Sequence, residues 1–164
     1  MKDIDLQDLN YNEGFGYEGK LTIDFFGKNT NVELTINAEE EEVAEIQFET
    51  YNKFKEKWNE LQKNVVESII KYYNEEEKGS YGPDDKDEFG KWWPKIDTID
   101  DLLEQIEFDG IIIPELFIME DVTNGRCIYL TFSKKWGNDV DDNGIGVQIV
   151  NEEITKIGFK DIAF

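Results

Sequence analysis

Residues 50–73 read TYNKFKEKWNELQKNVVESIIKYY, and their large apolar side chains recur at intervals of three and four. The recurring positions are Tyr51, Phe54, Trp58, Leu61, Val65, Ile69 and Tyr72. This spacing places them on one face of an α-helix, with charged residues on the opposite face. It predicts a long amphipathic helix that starts at an N-cap Thr50, or earlier near Val43, and ends within residues 76–79.

The segments on both sides of this helix alternate between apolar and polar residues, which is typical of β-strands. Residues 17–26 and 31–38 alternate in this way, and the Gly27-Lys28-Asn29 segment between them predicts a hairpin turn. Thr98 is the predicted N-cap of a short helix, and Gly110 is predicted to terminate that helix. Later strands are predicted at residues 111–119, 127–133, 145–150 and 154–159.

Together these elements predict one α+β domain over residues 1–164. In this fold an antiparallel sheet, made of the N-terminal hairpin and a C-terminal meander, packs on the long amphipathic helix and the short helix. Residues 161–164 are expected to add a final extended piece, and residues 79–93 are expected to be irregular.

The charge of the chain restricts its function. Thirty-eight acidic residues oppose seventeen basic ones, there is no histidine, and the net charge is −21. Such a surface repels nucleic acid and anionic membranes and attracts cationic partners. The lack of histidine removes the side chain that most often carries acid–base catalysis near neutral pH. We therefore expect a protein that binds a basic protein partner, is not an enzyme and needs no cofactor.

The termini and the single cysteine bear on cellular location. The sequence begins Met1-Lys2-Asp3-Ile4-Asp5, without the apolar core of a signal peptide, and no apolar stretch is long enough to cross a bilayer. Cys127 has no second cysteine to pair with and lies in a predicted strand, so it is expected to be a small buried side chain. These features predict a cytoplasmic protein.

Acidic side chains beside two tryptophans form the candidate contact site for the basic partner. The residues are Asp84, Asp85, Asp87, Glu88, Trp92 and Trp93. Buried aromatic anchors surrounded by a charged rim are typical of protein–protein interfaces. The alternative is that one tryptophan belongs to the core and the other covers it, while the acids belong to a solvated loop.

A second candidate site is the segment Asp139-Val140-Asp141-Asp142-Asn143-Gly144, which matches the first half of a calcium-binding loop. Its candidate metal ligands are Asp139, Asp141 and Asn143. The second half of the pattern is missing, because Val150 stands where a bidentate glutamate is needed. The alternative is a polar β-turn segment without a metal.

The C-terminal third resembles a family of small bacterial α+β domains of unknown function. The resemblance rests on Trp136, the acidic loop after it, the segment Gly144-Ile145-Gly146-Val147, residues 154–158 and Asp161-Ile162. Residues 17–73 are similar to the hairpin and long helix of that family. Where many members carry a histidine before the first loop glycine, this chain has Asn143, so no role of that histidine transfers. The resemblance implies no catalytic activity, and some members lie near toxin loci, where an immunity role is suspected.

The leading functional expectation is a non-enzymatic acidic protein of a bacterium, an immunity protein that neutralises a basic toxin by direct binding. Asp139, Asp141 and Asp142 are further candidate contacts. One alternative is a domain that binds a divalent cation through the loop at Asp139–Gly144. Another is an enzyme that uses carboxylates alone, which would require a dry pocket holding two close acids with raised pKa values.

Overall fold

The computed structural model of the protein describes residues 1–115, 118–119, 122–123, 125–137 and 144–164. Nine strands are found in the described residues. They are β1 (Asn10–Asn12), β2 (Gly16–Phe25), β3 (Lys28–Asn37), β4 (Ile106–Ile113), β5 (Ile118–Met119), β6 (Val122–Thr123), β7 (Cys127–Lys134), β8 (Ile145–Val150) and β9 (Glu153–Phe159). The α-helices are α1 (Glu45–Tyr72), α2 (Lys86–Trp92) and α3 (Ile99–Leu103).

Seven strands form one sheet in the order β1-β2-β3-β4-β7-β8-β9, and β5 pairs with β6 in a separate ribbon. Every neighbouring pair in the large sheet is antiparallel except β3 and β4, which are parallel. The parallel pair arises because the three helices lie between β3 and β4 in the chain and return it to the same end of the sheet. The predicted α+β class, with a mostly antiparallel sheet packed on a long and a short helix, is confirmed.

The long helix begins earlier than an N-cap at Thr50 requires. Thr50 lies inside α1, where its hydroxyl donates a 2.6 Å hydrogen bond to the carbonyl of Ile46, so its predicted capping role is wrong and the earlier start is right. Gln47 closes the first turn by accepting from the N–H of Ala44 at 2.9 Å. Its amide also donates to the carbonyl of Asn37 at 2.8 Å, which ties the start of α1 to the end of β3.

The turn of the N-terminal hairpin is shorter than the sequence predicts. Phe26 and Gly27 form a two-residue turn with φ of 50° and 79°, so Lys28 and Asn29 belong to β3. Two residues with positive φ match the right-handed twist of the flanking strands, and this match favours the tight turn.

Gly110 is another difference, because it lies inside β4 instead of ending the short helix. A Cβ at Gly110 would lie 3.0 Å from Oγ1 of Thr131 on the neighbouring strand. The prediction for the helix itself is confirmed: Thr98 caps α3 by accepting from the N–H of Asp101 at 3.1 Å.

The core lies between α1 and the sheet. Trp58 stacks on Phe108 with ring centroids 5.6 Å apart, and its indole N–H donates to the carbonyl of Asp24 at 2.7 Å. Cys127 is buried as expected, and burial raises the pKa of its thiol to about 12. Residues at Lys160–Ala163 form a 3₁₀ turn in place of the expected extended piece.

Candidate functional site

The acidic segment predicted to be irregular forms α2. Asp85 caps it, since its carboxylate accepts from the N–H groups of Asp87 at 2.9 Å and Glu88 at 3.2 Å. Acids in the first turn and Lys91 in the last turn complement the helix dipole. Pro83 shortly before the cap and this order of charges are the sequence signals that could have identified the helix.

The helix α2 displays its acids to solvent. Asp84, Asp85, Asp87 and Glu88 are all exposed, and α2 buries none of its residues. The ring of Phe89 is 36% exposed among them. The structure therefore places an apolar ring, four carboxylates and the exposed Lys86 and Lys91 on one short surface segment, with the acids concentrated before the helix and in its first turn.

The two tryptophans of the predicted contact site have different environments. Trp93 is 3% exposed, and its ring lies 6.1 Å from Tyr73 and 4.9 Å from Tyr81. Trp92 is half-buried and meets Tyr81 edge to face at 6.3 Å. Trp93 thus belongs to the core and not to a contact surface, because its ring is enclosed by other aromatic side chains, while Trp92 lies at the surface above it.

Two glycines allow the chain before α2 to approach its aromatic side chains. Gly82 has φ of 93°, and a Cβ there would lie 2.8 Å from Cε3 of Trp92. Gly79 has φ of 77°, and a Cβ there would lie 3.2 Å from Cε2 of Phe89. The N–H of Gly137 donates to the carbonyl of Trp92 at 2.9 Å, which fixes the C-terminal end of α2 beside β7. The acidic helix is held in place at its aromatic end.

A buried ion pair between Glu77 and Lys134 lies beneath this surface. The side chains are 1% and 6% exposed, and Lys134 donates to Oε1 of Glu77 and, at 3.0 Å, to the hydroxyl of Tyr81. The Tyr81 hydroxyl in turn lies 3.0 Å from the same Glu77 oxygen. A charge removed from water needs such partners, and here each charge has the other.

Aromatic rings surround the ammonium group of Lys134. Its Nζ atom lies 5.6 Å from the ring centroid of Tyr81, 5.7 Å from that of Trp136 and 5.1 Å from that of Phe159. These distances fall within the range of cation–π attraction. We call Glu77, Lys134, Tyr81, Trp136 and Phe159 the aromatic box.

A π-helical turn brings Glu77 into the aromatic box. After α1 the chain continues as a π-helix over Tyr73–Glu77, a conformation often found at functional sites. Within the described residues, Oε2 of Glu77 and the indole N–H groups of Trp93 and Trp136 have no hydrogen-bond partner. Burial, and next the charge of Glu77, raise the pKa of Tyr73.

Sequence reasoning did not identify this ion pair, although one signal was present. Ile128, Leu130 and Phe132 alternate along β7 toward α1, and the same alternation places Lys134 on the core side. A lysine at a core position requires a buried acid. Nothing in the sequence indicates which of the many acids supplies it.

The candidate calcium ligands Asp139, Asp141 and Asn143 lie outside the described residues, and so does Asp142. Among the residues that the structure does describe, no group of three or more potential ligands could hold a metal ion. The metal site therefore stays a prediction. No helix in the described ranges is long and apolar enough to cross a membrane.

The fold and this surface define an α+β protein whose central sheet is covered on one face by a long helix and which displays a short helix with exposed acids before it and in its first turn. The chain belongs to the family described as Domain of unknown function (DUF6985), which matches residues 5–164. No curated protein and no solved structure matches the chain.

Proposed function

We propose that this protein is a non-enzymatic acidic binding protein that neutralises a basic protein, namely an immunity protein that binds a toxin directly. The observation that carries the proposal is the exposed acidic start of α2. The helix buries none of its residues, and Asp84, Asp85, Asp87 and Glu88 lie exposed just before the exposed Phe89 in the chain. A short helix that buries none of its residues, and that meets the core only through the half-buried Trp92, is better explained by what it presents to a partner.

The chemistry of this surface suits a cationic partner. Exposed carboxylates speed association with a basic surface and disfavour acidic competitors, whereas the partly exposed ring of Phe89 after them in the chain provides an apolar contact. Fixing α2 through Trp92 and Gly137 lowers the conformational entropy lost on binding. The expected mode is an acidic helix placed over a basic cleft, with its carboxylates in the positions that phosphates would occupy.

The test uses the proteins encoded by the flanking genes, from which the one with a net positive charge is purified in an inactive form. Titration calorimetry compares the natural protein with the triple variant Asp84→Asn, Asp87→Asn and Glu88→Gln. A matched control, Glu39→Gln, Glu40→Gln and Glu42→Gln, removes the same charge from an exposed segment elsewhere. We expect the α2 variant to lose about tenfold or more in affinity and the control to lose little.

Growth of cells that express the active neighbour provides the functional measurement. The natural protein and the control variant should restore growth, and the α2 variant should not. Lack of both binding and rescue by the natural protein would refute the proposed function. Equal weakening by both triple variants would show that net charge alone acts and that α2 is not the contact site.

A further inference from the structure

A groove opens in the sheet where its two parallel strands separate. Only part of β3 pairs with β4: residues 33–36 of β3 pair with residues 110–113 of β4. The earlier residues of the two strands do not pair with each other. The resulting groove has a volume of ≈ 630 Å³. It interrupts the central sheet at the end that carries the tip of the β2–β3 hairpin.

One wall of the groove offers free backbone groups. The hairpin turn makes Phe25 and Lys28 the closing hydrogen-bonded pair, and hydrogen-bonded pairs then alternate along the ladder. Asn29 and Asn31 fall on non-hydrogen-bonded positions, so their N–H and C=O groups point away from β2 and into the groove. The register with β4 does not reach either residue.

The floor of the groove is apolar and firmly supported. Phe25 and Phe108 form it with ring centroids 5.4 Å apart, and Leu103 and Ile106 extend it. Trp58 stacks beneath Phe108, so the floor cannot collapse without disturbing the core. Such a floor accepts aliphatic side chains or the methylene portions of long ones.

The rim of the groove is acidic. Glu33, Glu107 and Asp109 line it, and Lys28 is the one cation in the described lining. Glu33 keeps 65% of its side chain exposed and forms an exposed ion pair with Lys20 at 3.7 Å, whereas Asp109 accepts hydrogen bonds from Ser133 at 2.6 Å and from Lys160 at 2.8 Å. Glu33 and Glu107 are exposed, so these two acids are open to a cationic side chain of a ligand and do not form the dry acid pair that carboxylate catalysis requires.

We propose that this groove binds an extended basic segment of the partner protein as an added strand beside Asn29 and Asn31. Backbone pairing with the open edge would hold the segment, arginine or lysine side chains would meet the acidic rim, and alternate apolar side chains would lie on the phenylalanine floor. The choice of a basic segment rests on the proposed function, because it is that function which makes the partner basic. The site itself is distinct from α2.

The probe is a fluorescein-labelled nonapeptide of alternating arginine and valine, with fluorescence anisotropy read in about 150 mM sodium chloride to screen loose attraction. Its control carries the same charges but is N-methylated at every peptide bond, so it cannot donate to the sheet edge in either orientation. We expect the N-methylated peptide to bind at least about tenfold more weakly. Amide resonances of Asn29 and Asn31 should shift with the first peptide only.

Protein variants locate the site. Glu33→Gln with Glu107→Gln should weaken binding of the first peptide severalfold, whereas the matched exposed pair Glu39→Gln with Glu40→Gln should not. Equal binding of both peptides, or equal weakening by both double variants, would overturn the groove proposal. The α2 triple variant separates the two proposals, because it should bind the toxin weakly yet bind the peptide as the natural protein does. Failure of the peptide to bind the natural protein would therefore overturn the groove proposal without affecting the proposed role of α2.

Discussion

At the scale of single residues, the ion pair in the aromatic box should dominate local stability. Replacing Lys134 by Met leaves Glu77 charged, buried and without its cation, while Oε2 of Glu77 already has no hydrogen-bond partner in the described structure. We expect the free energy of unfolding to fall by roughly 3–5 kcal/mol, measured by urea denaturation. Adding Glu77→Gln to Lys134→Met should recover a large part of that loss, because the uncompensated charge is then gone.

The control for this prediction is the next residue. Lys135 is exposed and donates to the carbonyl of Glu104 at 2.9 Å, so Lys135→Met should change stability by less than about 0.5 kcal/mol. A Lys134→Met protein as stable as the natural one would contradict the account of the aromatic box.

A second residue-scale prediction concerns pH. Arg126 holds the pKa of Glu152 below its usual value, mainly through the hydrogen bonds from Nε to Oε1 and from Nη2 to Oε2, each 2.8 Å long. A carboxyl with a lowered folded-state pKa stabilises the fold above its unfolded pKa, and this contribution disappears as the pH falls through the folded value. Glu152→Gln should therefore cost about 1 kcal/mol near pH 7 and clearly less near pH 3, by urea denaturation at both pH values.

The exposed neighbour Glu153 provides the comparison, since Glu153→Gln should show little difference at either pH. If the cost of Glu152→Gln were the same near pH 7 and near pH 3, the charge of Glu152 would not be its cause.

At the scale of elements, the β2–β3 turn carries local strain. Phe26 adopts φ of 50°, a region that bulky side chains seldom occupy, and its N–H donates to Oε1 of Gln62 on α1 at 2.9 Å. Phe26→Asn should raise the free energy of unfolding by about 0.5–1 kcal/mol, because Asn-Gly is the preferred pair in such a turn. The control Phe15→Asn also removes an exposed ring and should bring no such gain. A lower free energy of unfolding in Phe26→Asn would contradict the inference that Phe26 strains the turn.

The elements also show where sequence reasoning succeeds. The helical period of residues 51–72 and the alternation in β7 and β8 are local patterns, and each set of residues forms the predicted element. The parallel pairing of β3 with β4 is not local, because residues 38–105 separate the two strands in the chain. The groove depends on this pairing, so no local pattern could indicate it.

The same limit applies to the candidate site. The acids and tryptophans of residues 84–93 were recognised by composition, but composition could not tell the buried Trp93 from the half-buried Trp92. That distinction depends on Tyr73 and Tyr81, which lie in other elements and meet Trp93 only in the folded chain.

At the scale of the whole molecule, the negative charge is unevenly distributed along the chain. The long helix α1 carries as many lysines as acidic residues, so the net charge of −21 arises outside it. The excess lies mainly in the segments between helices and strands and in the π-helical turn Tyr73–Glu77, with smaller shares in α3 and on the sheet. The helix α2 itself carries two lysines and two acids. Most ion pairs of the described residues are exposed, and exposed pairs contribute little to stability.

Net repulsion should therefore outweigh the exposed ion pairs, and added salt should stabilise the protein. Raising sodium chloride from about 20 mM to about 300 mM shortens the Debye length severalfold and screens the repulsion. We expect the melting temperature, followed by circular dichroism, to rise by roughly 2–4 °C, the shift that about 1 kcal/mol produces in a chain of this size. The variant Glu39→Gln, Glu40→Gln and Glu42→Gln has less repulsion to screen and should gain less. A melting temperature that falls with salt in the natural protein would mean that its ion pairs, and not its net charge, control its electrostatic stability.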